Sequence, residues 1–203
     1  MNDKLMSTDP TFLNPSIDWD QRYQNRLDLP PPAWILAQHL HLLPAQGHAL
    51  DLACGLGANA LLLARQGLET TAWDVSSVAI ERLRQQAAQQ HLRVQALQQD
   101  VLLEPPKPNS FDVIVISRFL ERSLIPHLFA ALRPNGLLFY QTFTRNSVHA
   151  EYGPRNPSYR LANNELLQLC QGLQIVVYRE EGRWGDINQG LRDEAGVIAA
   201  KVF

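Results

Sequence analysis

Ala49-Leu50-Asp51-Leu52-Ala53-Cys54-Gly55-Leu56-Gly57-Ala58-Asn59-Ala60 runs from an apolar, strand-like stretch through two glycines into a helix-forming sequence. A buried strand that breaks at a glycine turn and opens directly into a helix is the first unit of a doubly wound α/β domain. Gly55 and Gly57 stand where the chain must turn sharply and where a Cβ would keep backbone from approaching a neighbour. The first N–H groups of the following helix have no intrahelical partners, so backbone is expected to anchor a ligand there.

Outward from this turn, apolar runs alternate with helical periods. Strands are expected at 48–53, 69–74 and 92–97, with helices at 58–66 and 77–90 between them. That order implies parallel strands joined by right-handed crossovers. Three prolines within Glu104-Pro105-Pro106-Lys107-Pro108 exclude a helix before the next strand, Phe111–Ile116, whose unbroken apolar run suits burial on both faces. A helix at 120–132 and the turn Arg133-Pro134-Asn135-Gly136 then lead into a strand at 137–143. Beyond a polar loop from Thr144 to Arg160, Asn163 or Asn164 is placed to cap a helix reaching Cys170, and β-rich runs follow at 173–178 and 195–203.

The N-terminal side reads differently. Residues 1–16 show no sustained period and are expected to form a mobile arm, with residues 17–203 as one domain. An aromatic cluster, Asp18-Trp19-Asp20-Gln21-Arg22-Tyr23, precedes Pro30-Pro31-Pro32, and a helix is expected to enter through those prolines toward Leu43.

Composition narrows the class. A chain of 203 residues buries roughly 70% of its unfolded surface in one domain of ordinary size. Eighteen basic against twenty acidic residues, a net charge of −2, give no general electrostatic reason to bind nucleic acid or an anionic membrane. The N-terminus lacks the apolar run of a signal peptide, and no apolar stretch approaches a membrane span, so a cytoplasmic protein is expected. Cys54 and Cys170 have no C-x-x-C or histidine cluster beside them and read as reduced, structural thiols; no metal site is expected.

Three acids give the turn its chemistry. Asp74 ends the second strand about 20 residues beyond the glycines, where a ribose-binding carboxylate sits in dinucleotide folds. Asp51 directs its carboxylate at the turn, which suits a cationic amine better than a pyrophosphate. Asp100, past the third strand, is placed to accept from an exocyclic adenine amine. Gly55-x-Gly57-x-x-Ala60 also satisfies the loose dinucleotide fingerprint, so a nicotinamide-dependent oxidoreductase is the rival reading.

This ordered set, with Arg133-Pro134-Asn135-Gly136 before the fifth strand, resembles the class I S-adenosylmethionine-dependent methyltransferases. Trp19-Asp20-x-Arg22-Tyr23, the Asp51–Ala60 stretch and Ala72-Trp73-Asp74 are similar to the tellurite-resistance branch, whose members methylate small molecules, including thiol and chalcogenide nucleophiles. Ala53 departs from the glycine that the family more often carries. The resemblance implies a mostly parallel seven-stranded sheet with an antiparallel last strand, and S-adenosylmethionine as cofactor. It places the cofactor's methionine portion on backbone from Ala53 to Gly57, with Asn59 opening the helix and Asp51 organising the ammonium. Asp74 would hold the ribose and Asp100 the adenine, with Val75 and Val101 as its apolar faces. Arg22 or Tyr23 would cover the carboxylate, and Ser117 and Arg118 would line the path to the methyl group.

Glu121, His149 and Tyr152 are further candidates on the substrate side. Arg118, Arg122, Arg145, Arg155 and Arg160 would favour an anionic acceptor if they converge. The expected partner is a small-molecule methyl acceptor. A non-catalytic binding module with the same fold is a second rival; a methyltransferase acting on RNA or protein would call for a more basic chain or an added recognition domain.

Overall fold

The computed structural model describes residues 15–26, 28–149 and 151–202. Its helices are α1 (Pro15–Gln24), α2 (Trp34–Ala37), α3 (Ala58–Arg65), α4 (Ser77–Gln89), α5 (Ile125–Ala131) and α6 (Glu165–Leu169). The strands are β1 (His48–Leu52), β2 (Glu69–Asp74), β3 (Val94–Gln98), β4 (Phe111–Ser117), β5 (Leu132–Phe143), β6 (Gln174–Arg179) and β7 (Glu194–Ala200). They form one seven-stranded sheet in the order β3-β2-β1-β4-β5-β7-β6. Strands β1 to β5 pair in parallel, and β7 runs antiparallel between β5 and β6.

The alternation of side chains across each strand builds two apolar layers. Leu50, Leu52, Ile114, Ile116, Leu138 and Tyr140 pack on one face with Leu128 and Leu166 of α5 and α6. Ala49, Val113, Val115 and Phe139 pack on the other with Ile35, Leu36 and Leu63. Each fully buried Leu or Ile contributes about 1.5–3 kcal/mol, so the central strands β1 and β4 anchor the sheet. Asp51 is the exception on its strand: it lies on the face of Ala49, opposite α3, and is fully buried.

Several boundaries differ from expectation. The helix expected at 120–132 starts only at Ile125, because residues 118–121 turn back over the end of β4 and Arg118 takes a left-handed φ of 56°. Pro126 sits in the first turn of α5, where its missing N–H costs nothing. The helix after the proline run is a single α-turn, Trp34–Ala37, followed by a 3-10 turn at Leu40–Leu42. Asn164 precedes α6 but makes no side-chain cap; Glu165 reaches back instead, accepting from Ala162 N–H at 2.6 Å. The arm expected over residues 1–16 falls outside the described residues as far as 14, and α1 begins at Pro15. No helix among the described residues is long and apolar enough to cross a membrane.

Candidate active site

The turn after β1 is left-handed three times over, at Ala53 (φ 54°), Gly55 (φ 52°) and Gly57 (φ 81°). Glycine is required at the last two positions for separate reasons. A Cβ on Gly57 would stand 2.3 Å from Leu83 Cδ1 of α4, and one on Gly55 would stand 2.7 Å from the Tyr23 hydroxyl. The first glycine lets two helices close on the turn; the second admits the ring that covers it.

Asp51 holds this turn from below. Its Oδ2 accepts the Ala60 N–H at 2.9 Å, and its Oδ1 faces the Asn59 amide at 3.4 Å. Asn59 Nδ2 also donates to Ser117 Oγ at 3.0 Å, and its Oδ1 accepts the Ala33 N–H at 2.8 Å. One asparagine thus joins β1, the end of β4 and the start of α2. Burial pushes the Asp51 carboxyl up to about 7, against the two hydrogen bonds that favour its charge. Among the described residues, no Lys, Arg or His forms an ion pair with it. This corrects the reading of α3 as a free helix terminus: a carboxylate already occupies one of its first N–H groups, which disfavours a pyrophosphate there.

Asp74 closes the turn from the side. Its Oδ2 accepts the Gly55 N–H at 2.7 Å and its Oδ1 the Ser76 N–H at 2.9 Å. Burial raises its pKa, only partly offset by these bonds. Tyr23 lies over the same glycine, and burial, with the Asp74 charge beside it, drives its phenol pKa upward. Arg22 is exposed, its guanidinium 4.7 Å from the centre of the Trp19 ring. Val75 is half-buried and Val101 buried, while Asp100 Oδ1 accepts the Leu102 N–H at 2.9 Å.

Past the end of β4 the site changes character. Arg118 Nε donates to Glu194 Oε1 at 2.9 Å, and Tyr152 Oη donates to the same oxygen at 3.1 Å. Gln141 bonds the other oxygen of Glu194 and accepts the Ile35 N–H at 2.8 Å. Next in the chain, Asp193 Oδ2 lies 2.7 Å from His149 Nδ1, and its Oδ1 accepts the backbone N–H of Val148 and His149. Burial opposes the charge on Asp193, but these bonds outweigh it and hold the pKa below the ordinary value. His149, Glu151, Tyr152 and Asp193 line a cleft of about 460 Å³.

Four of the five arginines are committed to separate partners, and Arg155 is exposed. Arg118 is paired with Glu194, and Arg122 with Glu165 at 2.6 Å. Arg160 is buried and donates to the carbonyls of Thr144, Tyr152 and Pro154, which makes it the internal brace of the 144–160 loop. Arg145 donates to the Pro157 carbonyl at 3.2 Å, and Glu121 caps the turn at 122–124 through Ser123. No group of three or more His, Cys, Asp or Glu side chains placed to hold a metal ion occurs among the described residues.

Asp193 and Glu194 are the site residues that the sequence reading missed. In Leu191-Arg192-Asp193-Glu194 they look like a solvated charge run, yet both are buried. The available signal was their position against the fully apolar run Ala195–Ala199, since a carboxylate carried into a buried strand must find partners.

Comparison with known proteins agrees with this geometry. Residues 49–136 match the family model described as a methyltransferase domain. A ubiquinone biosynthesis O-methyltransferase of Coxiella burnetii is 32% identical over 104 residues, 49% of this chain and 44% of the relative. A trans-aconitate 2-methyltransferase of Paracidovorax citrulli is 33% identical over 107 residues, 49% of this chain and 40% of the relative. The chain thus spans under half the length of these curated relatives. Among solved structures, TehB from Haemophilus influenzae aligns over 90% of this chain and 67% of its own, with a TM-score of 0.69 and 21% identity. A structure from work on converting a disulfide bond into a thioacetal group during echinomycin biosynthesis aligns over 92% of both chains, with the same TM-score and identity. These structural likenesses bear on fold. The dinucleotide order 3-2-1-4-5-6 carries no antiparallel strand between its last two, whereas β7 is inserted there. Sheet order and sequence match therefore point one way: residues 49–136 carry a methyltransferase domain, set in a sheet whose order departs from the dinucleotide arrangement.

Proposed function

We propose that this protein transfers the methyl group of S-adenosylmethionine to a small-molecule acceptor bound beside the ends of β4 and β5. The observation that carries the reading is Asp51, a fully buried carboxylate beneath the glycine turn with no cationic side chain paired to it. The residues present fit the cofactor. Asp51 and the backbone of Ala53 to Gly57 would take its amino-acid end, Asp74 its ribose, and Asp100 with Val75 and Val101 its adenine, beneath Tyr23. When bound, the cofactor supplies a methyl group made electrophilic by a sulfonium.

The protein's share of the work is alignment and exclusion of water. Positioning alone is worth roughly 7–11 kcal/mol for well-oriented reactants. Asn59 ties Asp51 to Ser117, so the floor of the turn and the wall of the acceptor side are held as one unit. A thiolate or chalcogenide acceptor is supported by the resemblance of Trp19–Tyr23, Asp51–Ala60 and Ala72–Asp74 to the tellurite-resistance branch and would need no base near neutrality. A hydroxyl acceptor is supported by the pairing of His149 with Asp193 and by the name of the O-methyltransferase relatives.

Thermal unfolding with S-adenosylmethionine, S-adenosylhomocysteine and NAD added separately tests the reading. A ligand at about 100 times its dissociation constant stabilises by about 2.7 kcal/mol, a shift of several degrees. Both adenosyl ligands are expected to raise the midpoint; a shift with NAD alone would overturn the assignment.

A further inference from the structure

We infer that His149 is a general base for a weakly acidic hydroxyl, phenolic or enolic, and that Asp193 positions it. The inference rests on the methyl-transfer reading above and names the acceptor class. Its basis is geometric: the His149 ring bonds Asp193 through Nδ1 at 2.7 Å, while the side chain remains 63% exposed at the cleft. With Nδ1 committed to a carboxylate, the neutral ring carries its proton on Nδ1 and presents the Nε2 lone pair outward.

Asp193 is fixed for this task more firmly than an ordinary surface partner. It is 5% exposed, its second oxygen accepts two backbone N–H groups of the segment that carries His149, and its own carbonyl accepts the Thr144 N–H at 2.9 Å. Its left-handed φ of 64° aims it back into that loop. The neighbouring cleft is lined by Glu151 and Tyr152, and Tyr152 reaches Glu194 and, through it, Arg118 at the end of β4. Among the described residues, the charged and titratable groups that line the cleft with the ring are Asp193, Glu151 and Tyr152.

The acceptor class follows from matching proton affinities. A phenolic or enolic hydroxyl, of pKa about 10, gives its proton to an imidazole far more readily than an aliphatic alcohol does. A thiolate or chalcogenide already ionised near neutrality would leave the pair without a task. In the step, the acceptor oxygen's electron pair bonds the methyl carbon and the carbon–sulfur pair stays on sulfur. The hydroxyl proton passes to His149 Nε2.

The test uses the full chain with catechol and thiophenol as acceptors, following S-adenosylhomocysteine release between pH 5 and 9. In His149→Gln the catechol-to-thiophenol rate ratio is expected to fall about 100-fold, within the range removed with a general base. Asp193→Asn is expected to lower it less. Independently of turnover, ¹⁵N spectra should show neutral His149 as the Nδ1–H tautomer, reverting toward Nε2–H in Asp193→Asn. An unchanged ratio in His149→Gln, methylation of thiophenol but not catechol by the wild type, or an Nε2–H tautomer in the wild type would each overturn the inference. Failure of the methyl-transfer reading would look different: no thermal shift with either adenosyl ligand, whatever the tautomer.

Discussion

Arg118 and Glu194 are 76 residues apart in sequence and 2.9 Å apart in the fold, joined across the ends of β4 and β7. Glu194 is 3% exposed, so the guanidinium is the cation that makes its burial tolerable. Arg118 is thereby committed to the protein. Breaking such a pair leaves an uncompensated buried charge, and Arg118→Met is expected to cost about 3 kcal/mol in urea unfolding. Adding Glu194→Gln should restore much of that loss. A double-mutant cycle with no coupling would show that the pair does not hold the β4–β7 junction.

Asp51 sets a pH dependence of known sign. Its folded-state pKa of about 7 lies above the ordinary carboxylate value of 3.8. Between those pH values the folded chain keeps a proton that the unfolded chain has released, so the stability contribution is full below the lower value and is lost as pH rises toward the upper one. The slope is at most about 1.4 kcal/mol per pH unit from this group. Urea unfolding at pH 5 and pH 8 should show the decline, and Asp51→Asn should flatten it. An equal decline in the variant would assign it to another group.

The glycine turn separates two kinds of left-handed residue. Ala53 has φ 54° and is half-buried, whereas Gly57 has φ 81° with Leu83 against it. Ala53→Gly relieves about 1 kcal/mol of left-handed strain but frees the unfolded chain by about 0.4–1 kcal/mol, so stability should barely move. Gly57→Ala meets strain and overlap together and should lose at least about 2 kcal/mol. Equal effects of the two substitutions would contradict the assigned packing of α4 on the turn.

The positions of the strands were legible because burial on both faces writes continuous apolar runs, and the Asp51–Ala60 stretch changes period abruptly at two glycines. The positions of β1 to β4 and their parallel sense followed from this alone; their order in the sheet did not. Past β4, Arg118, His149 and Tyr152 stood out in the sequence, but the buried acids that hold them did not. These acids belong to a charge-rich stretch, Arg192-Asp193-Glu194, and only the insertion of β7 between β5 and β6 brings them to His149, Tyr152 and Arg118. Arginine-rich composition in the 144–160 loop suggested an anion site, but Arg160 satisfies carbonyls of its own loop, a use that sequence does not distinguish from binding. Residues that serve local periodicity announce themselves; residues that serve long-range pairing do not.

α1 is held to α4 at its middle and at its C-terminal end. Asp20 reaches the start of α4, accepting from the Ser76 hydroxyl, from Ser77 Oγ at 3.2 Å and from the Val78 N–H at 3.2 Å. The Ser76 bond is the main reason its carboxyl sits below the ordinary pKa. At the C-terminal end of α1, Arg82 donates to the Tyr23 carbonyl at 2.6 Å and the Gln24 carbonyl at 3.2 Å, in the last turn, where carbonyls lack partners within the helix. Tyr23 stands between these two attachments, so the ring over Gly55 depends on them. Hydrogen bonds from a charged donor contribute about 1.5–3 kcal/mol, and Arg82→Met should therefore speed amide exchange in residues 19–24 about tenfold or more. The sheet does not use this clamp, so the global unfolding midpoint should stay close to that of the wild type. Exchange that accelerates equally in β1 and β4 would mean that α1 is part of the core's cooperative unit rather than a separately released cover over the turn.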